Sequence, residues 1–159
     1  MSFPFKIAEA TEKHIPEIVG LWKELADYHS NIDPFFTRKK DGHINFESFI
    51  AKLIRSEEAK IFIALEDEKL IGYTIAKIDL YPPVYLLEKH GSIYDMYVTL
   101  KHRKKGIGNK LWQEALKWFK ALGLERVELS IVPANPISSS FWKKHGFKDY
   151  MHRLFIKIK

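Results

Sequence analysis

The segment Tyr97-Val-Thr-Leu-Lys-His-Arg-Lys-Lys-Gly-Ile-Gly-Asn109 carries the strongest chemical signal in this chain. An apolar strand pattern runs through a basic loop into two closely spaced glycines and then straight into an amphipathic helix. The first turn of a helix leaves backbone N–H groups without intrahelical partners. No Ser, Thr or Asp stands before Ile107 to cap them, whereas Gly106 and Gly108 allow a close approach of backbone to a ligand. Unpaired N–H groups, the positive end of the helix dipole and Arg103, Lys104 and Lys105 nearby suit a phosphate. The competing reading is an ordinary turn with solvent-facing lysines, and the strand–loop–helix context favours the anion site. The sequence has no Gly-x-x-x-x-Gly-Lys-Ser/Thr and no complete Gly-x-Gly-x-x-Gly, so P-loop and dinucleotide folds are disfavoured. With no cysteine, thiolate metal sites, disulfides and cysteine nucleophiles are excluded. The seven histidines show no metal-ligand spacing, so no metal is expected. His29, His43 and His90 fall in expected loops and read as surface residues.

The elements that position this segment follow from hydrophobic periodicity. Phe5–Ala10 reads as an edge strand. Ile15, Ile18, Val19, Trp22, Leu25 and Ala26 mark a helix over Glu12–Tyr28 with Thr11 before it, and a second helix fits Phe46–Arg55. Lys60–Leu65 and Leu70–Ile78 form a hairpin around Glu66-Asp-Glu-Lys69. Ile93–Thr99 is a strand, and Ile107–Leu122 is a helix closed by Gly123. Arg126–Val132, Ile137–His145 and Met151–Ile158 read as strand, helix and final strand. No linker or repeat divides the 159 residues. The expectation is one α/β domain over 1–159, an α+β arrangement with a mixed, mostly antiparallel sheet of six to seven strands and helices on both faces.

Arg103-Lys-Lys-Gly106-Ile-Gly108 resembles the Arg/Gln-x-x-Gly-x-Gly/Ala acyl-CoA signature of the GNAT superfamily of N-acetyltransferases. Ile93-Tyr-Asp-Met-Tyr-Val98 is similar to its central strand. Asn135 followed by Phe141-Trp-Lys-Lys-His-Gly-Phe147 resembles its Asn-x-x-Ala-x-x-Phe/Leu-Tyr-x-x-x-Gly-Phe segment. The resemblance implies direct acetyl transfer from acetyl-CoA to an amine, with no covalent enzyme intermediate. It implies that backbone groups of Met96, Tyr97 and Val98 pair with pantetheine and that N–H groups of Lys104, Lys105, Gly106, Ile107, Gly108 and Asn109 hold the pyrophosphate. Arg103 and Asn135 are the remaining cofactor-binding positions it implies. Where the family usually has a proton-donating tyrosine, this chain has Trp142, whose indole donates a hydrogen bond but not its proton near neutral pH. Trp142 is therefore either a weak stand-in or a packed helix residue. For the general base the resemblance points to Tyr94 as the site-facing candidate, with Asp95 beside it either catalytic or holding structure through hydrogen bonds. Strict alternation would set Tyr94, Met96 and Val98 on one face, and Ile93, Asp95 and Tyr97 on the other.

Charge is uneven along the chain. Residues 1–100 hold 12 Lys/Arg and 16 Asp/Glu, and residues 101–159 hold 14 and 4. The basic half suits an anionic cofactor, and the acidic half a cationic amine with Glu24, Asp27 and Asp33 as acceptor contacts. Two other readings are a non-catalytic acyl-CoA-sensing module of the same fold and a nucleic-acid binder. Dispersed lysines and the lack of a recognition motif disfavour the latter, and no nucleic acid is expected. The opening Met1-Ser-Phe-Pro-Phe-Lys6 lacks a leader layout, no apolar run reaches membrane-spanning length, and cysteine is absent; a cytoplasmic protein without membrane association is the expectation. The aromatic pair Phe35-Phe36 is compatible with a homodimer.

Overall fold

The computed structural model describes residues 4–159; Met1–Phe3, part of the opening read above for a leader, lie outside them. Two compact units are present, residues up to Leu129 and Ser130–Lys159. In the first, β1 (Lys6–Glu9) leads through a short 3-10 turn into α1 (Ile15–Ile32). A second 3-10 turn, Pro34–Phe36, precedes α2 (Gly42–Arg55), followed by β2 (Ala59–Glu66), β3 (Lys69–Leu80) and β4 (Lys89–Val98). The turn Leu100–His102, α3 (Ile107–Ala121) and β5 (Val127–Glu128) complete it. The five strands lie in sequence order, antiparallel except for the parallel β4–β5 pair.

Alternation along β2 explains the layers. Ile61, Ile63 and Leu65 point into a core with Ile18 and Leu21 of α1 and Ile50 and Leu53 of α2, all buried. Each such side chain contributes about 1.5–3 kcal/mol by leaving water. The opposite face receives α3, whose Ile107, Leu111, Ala115 and Phe119 are buried. Two glycines bring α3 close: a Cβ on Gly72 would stand 3.5 Å from Ile107 Cγ2, and one on Gly91 only 2.8 Å from the Phe119 ring. The β2–β3 hairpin closes through Asp67 and Glu68, both at positive φ, as a two-residue turn matching strand twist requires.

Three expectations are corrected. The sheet has five strands among the described residues, not six or seven. Arg126–Val132 contributes only Val127–Glu128. In the second unit α4 (Pro136–Lys144) forms as expected, but Met151–Ile158 joins no ladder, and Leu154, Phe155 and Ile158 are more than 80% exposed. A strand is stabilised by its neighbour's hydrogen bonds and side chains, so an apolar pattern without a paired neighbour does not make one.

Candidate active site

The centre of the site is an irregularity in β4. Ile75 pairs with Asp95 and Ala76 with Ile93, so Tyr94 is an extra residue, a β-bulge. The bulge breaks the alternation expected from sequence. Gly91 faces Phe119 and Val98 faces Gly72, on the α3 side. Tyr94 instead lies 5.0 Å from the ring of Phe49 on α2, and Asp95 meets the hydroxyl of Tyr73 at 3.4 Å in the α1/α2 core. Tyr94, Asp95 and Tyr97 thus share one face, a correction to the two-face assignment. The Thr74 hydroxyl donates to the Asp95 carbonyl at 2.9 Å, fixing the backbone beside the bulge.

Removal from water pushes the Asp95 carboxyl up from 3.8 to about 7, against a smaller opposing effect of the Tyr73 hydrogen bond. A carboxylate that titrates near neutrality is suited to accept a proton. Burial and the neighbouring Asp95 also raise Tyr94, so its phenol stays protonated as a hydrogen-bond donor. Tyr97 is pushed up to about 12 by burial and by Glu24, which accepts its hydroxyl hydrogen at 3.0 Å.

β5 pairs only with Gly91 and Ser92, so β4 beyond them has a ladder on the β3 side alone. Thr99 N–H donates to Ile71 at 3.0 Å, and the Tyr97 carbonyl lies beside Gly72. In an antiparallel pair N–H and C=O of one residue point the same way and alternate along the strand. The Tyr97 backbone is therefore committed to β3, and of the three residues expected to pair with an extended ligand, Met96 and Val98 present their polar groups at the open edge. In this structure the Val98 carbonyl accepts from Arg103 Nε at 3.0 Å. The Arg103 guanidinium lies 5.4 Å from the Tyr97 ring and 5.9 Å from that of Tyr28, directed to β4 and α1.

After Arg103 the chain turns sharply. Lys104 has φ +61°, and Gly106, the residue before α3, has φ +83°, with open space for 4 Å around the place a Cβ would take. Lys110 N–H makes the first helical bond, to the Gly106 carbonyl at 3.0 Å, and no side chain caps the start. The N–H groups of Ile107, Gly108 and Asn109 consequently face outward from an uncapped positive helix end. His102, not singled out in the sequence, holds the loop: its Nδ1 lies 2.6 Å from Thr99 Oγ1 and its Nε2 2.9 Å from Glu66. Together, an extended edge with unpaired amides and an uncapped helix with Lys104 and Lys105 beside it fit the amide-bearing arm and pyrophosphate of acetyl-CoA.

Of the acceptor candidates, only Glu24 meets this cluster. Asp27 is paired with Arg38 at 3.0 Å, and Asp33 accepts the Phe35 N–H at 2.9 Å. In the second unit Asn135 begins α4, accepting from Ser138 N–H at 3.2 Å. Trp142 is buried, with its ring edge-on to Phe141 at 4.8 Å and Phe147 at 5.2 Å, the setting of a packing residue. The histidines are not loop residues: His29, His43 and His90 lie in α1, α2 and β4. His90 is buried against Tyr81 at 4.2 Å. No group of three or more metal-ligating side chains occurs, and no helix is long and apolar enough to cross a membrane, among the described residues. Tyr73 gives no signal in the sequence, because only the register across the hairpin sets it opposite Tyr97.

A bulged, one-sided strand followed by a basic glycine loop and an uncapped helix defines an acyl-CoA-binding acetyltransferase fold. Residues 20–147 match the Acetyltransferase (GNAT) family, and the chain belongs to it. The chain is 28% identical over 106 residues to an N-alpha-acetyltransferase of Sulfurisphaera tokodaii, a match covering 64% of each, so it spans less than two-thirds of that curated relative. Its fold is similar to that of a mutant BH1408 protein from Bacillus halodurans, with TM-score 0.85, 18% identity and coverage of 97% of this chain and 99% of the other. It is also similar to the aminoglycoside N-acetyltransferase AAC(6')-Iy in complex with CoA, with TM-score 0.73, 19% identity and coverage of 97% and 99%.

Proposed function

We propose that this protein transfers the acetyl group of acetyl-CoA directly to a primary amine, with Asp95 as the general base. Acetyl-CoA would supply a thioester whose carbonyl carbon bonds to the amine nitrogen as the carbon–sulfur bond breaks; the sulfur leaves as thiolate, and the second proton lost by the nitrogen reaches it through water. Met96 and Val98 orient the donor through the open edge of β4, and the N–H groups of Ile107, Gly108 and Asn109 hold its phosphates. Asp95, ionised for about half of the molecules near pH 7, takes the proton that the bound ammonium must lose before nitrogen can bond to carbon. Glu24, through Tyr97, keeps a negative charge on the same face for the incoming cation. Tyr94 remains a neutral donor beside Asp95. The observation that carries this reading is a carboxyl titrating near neutrality at the bulge where β4 loses its second neighbour.

Calorimetric titration with acetyl-CoA, repeated on Gly108→Trp, tests the donor half. Micromolar-range binding lost in the variant is expected. The chain has no cysteine, so thiol release can be followed against no protein background. Release that depends on added amine supports catalysis; tight binding without release with any amine supports the sensing module instead.

A further inference from the structure

Asp95 sits against an apolar neighbour. Directly opposite it on β3 is Ile75, fully buried, which offers no hydrogen bond. Tyr73, two residues back on the same face, stands opposite Tyr97 and so diagonal to Asp95, a separation that aromatic side chains span. It is fully buried in the α1/α2 core, and its hydroxyl meets Asp95 Oδ2 at 3.4 Å. Among the described residues neither this hydroxyl nor the Asp95 carboxyl has another hydrogen-bond partner. A buried phenol needs an acceptor, and this one depends on Asp95 alone. Thr74, next to Tyr73 and also fully buried, donates to the Asp95 carbonyl at 2.9 Å. Two successive residues of β3 therefore hold the side chain and the backbone of the residue that follows the bulge.

The other ionisable groups of the elements packed here have partners of their own or lie apart. On β4, Tyr97 donates to Glu24 of α1, and Tyr94 rests on Phe49 of α2. Lys77 of β3 lies over the Tyr94 ring at 5.9 Å and 3.5 Å from Asp79. Arg103 bonds the Val98 carbonyl beside the rings of Tyr97 and Tyr28. On α1, Glu17 accepts the Leu70 N–H, Asp27 pairs with Arg38, and His29 lies against Phe36. On α2, Glu47 lines a groove with Glu12 and Arg55, and Lys52 is exposed. Asp41 and His43 stand at the start of that helix, about 9–12 Å along its axis from Phe49. Two causes set the Asp95 carboxyl at about 7: burial pushes it up, and the Tyr73 hydrogen bond draws it down. Burial and Asp95 hold the Tyr73 phenol well above its ordinary value, so it remains a donor and does not itself titrate in this range.

We infer that Tyr73 is a positioning residue for acetyl transfer: its hydroxyl holds Asp95 Oδ2, leaves Oδ1 to take the acceptor's proton, and sets the pH at which the protein works. This rests on the reading of Asp95 as the base and deepens it. A hydrogen bond to an ionised carboxylate is stronger than one to the neutral acid. Tyr73 thereby favours the proton-accepting form inside a core that disfavours it.

The first test needs no acceptor. In carbon NMR of the protein alone, the Asp95 carboxyl carbon, assigned by its loss in Asp95→Asn, should titrate at about 7. The Tyr73 Cζ carbon should move with the same inflection. Tyr73→Phe keeps the ring in the core and removes the hydroxyl, and should raise the carboxyl inflection by about half to one pH unit. Kinetics should follow, using whichever of spermidine, tyramine, kanamycin and a Phe-Gly amide releases thiol fastest. In Tyr73→Phe, kcat/KM should be about twofold to fivefold lower at pH 7 and level with wild type by about pH 9. Tyr97→Phe loses a phenol on the same face whose partner is Glu24, and should leave the inflection in place. A Tyr73 signal flat between about pH 5 and 9, or a Tyr73→Phe rate lowered by one factor at every pH, overturns this inference and leaves the acetyltransfer reading intact. An equal shift in Tyr97→Phe does the same. Full activity in Asp95→Asn, or no turnover of any amine by a protein that binds acetyl-CoA, overturns both.

Discussion

Replacing Asp95 with asparagine separates its proposed role in proton transfer from its cost to folding. With the carboxyl titrating at about 7, about a tenth of the molecules carry the base at pH 6 and about nine-tenths at pH 8. An alkylamine acceptor stays protonated throughout that range, so kcat/KM on total amine should rise about tenfold and then level. In Asp95→Asn the rate at pH 8 should fall by about 10²–10⁴-fold. Its remaining activity should climb with the acceptor's own ionisation, without the plateau. Stability should move the other way. A carboxyl whose folded value lies above its ordinary 3.8 holds its proton more tightly when folded, so its contribution is favourable below about 4 and is lost as pH climbs to about 7. The ionised form costs at most about 4 kcal/mol. Urea unfolding at pH 4 and pH 8 should find wild type and variant alike at the first and the variant more stable at the second. An unchanged rate and inflection in Asp95→Asn would refute the base assignment; equal stabilities at pH 8 would refute the burial argument.

Gly91→Ala should cost about 1–3 kcal/mol, because the new carbon meets the buried Phe119 ring at 2.8 Å. Urea denaturation measures it, and Phe119→Leu in the same chain should recover part; an unaltered midpoint in Gly91→Ala would show that α3 does not pack as described. His102→Ala removes the ties to Thr99 and Glu66 that hold the loop before α3. It should weaken acetyl-CoA binding about threefold to tenfold in calorimetry while lowering stability by about 1 kcal/mol; tighter or equal binding contradicts a positioning role.

Local patterns announced most of the elements and the donor side of the site. The stripe from Ile107 to Phe119 made α3, and the glycine pair in a basic strand-to-helix loop marked an uncapped helix start, because backbone conformation and capping are decided by a few neighbouring residues. The β2–β3 hairpin was legible from its polar turn for the same reason. The catalytic side was not. A bulge depends on how two strands align, so nothing in Ile93–Val98 alone could turn Tyr94 onto the face of Asp95. Likewise, nothing in the sequence tells that Glu24 meets Tyr97, Asp27 pairs with Arg38 and Asp33 accepts the Phe35 N–H.

The sequence by itself determined the helices, the hairpin, the glycine loop and the family, since these rest on periodicity and on residue types at short spacing. Only the tertiary structure decided that Asp95 is held by Tyr73, that Met96 and Val98 have the open edge, and that the apolar run Met151–Ile158 joins no ladder. The physical reason is that ladder register, desolvation and side-chain pairing are properties of residues far apart in the chain. They take their values only when packing brings those residues together.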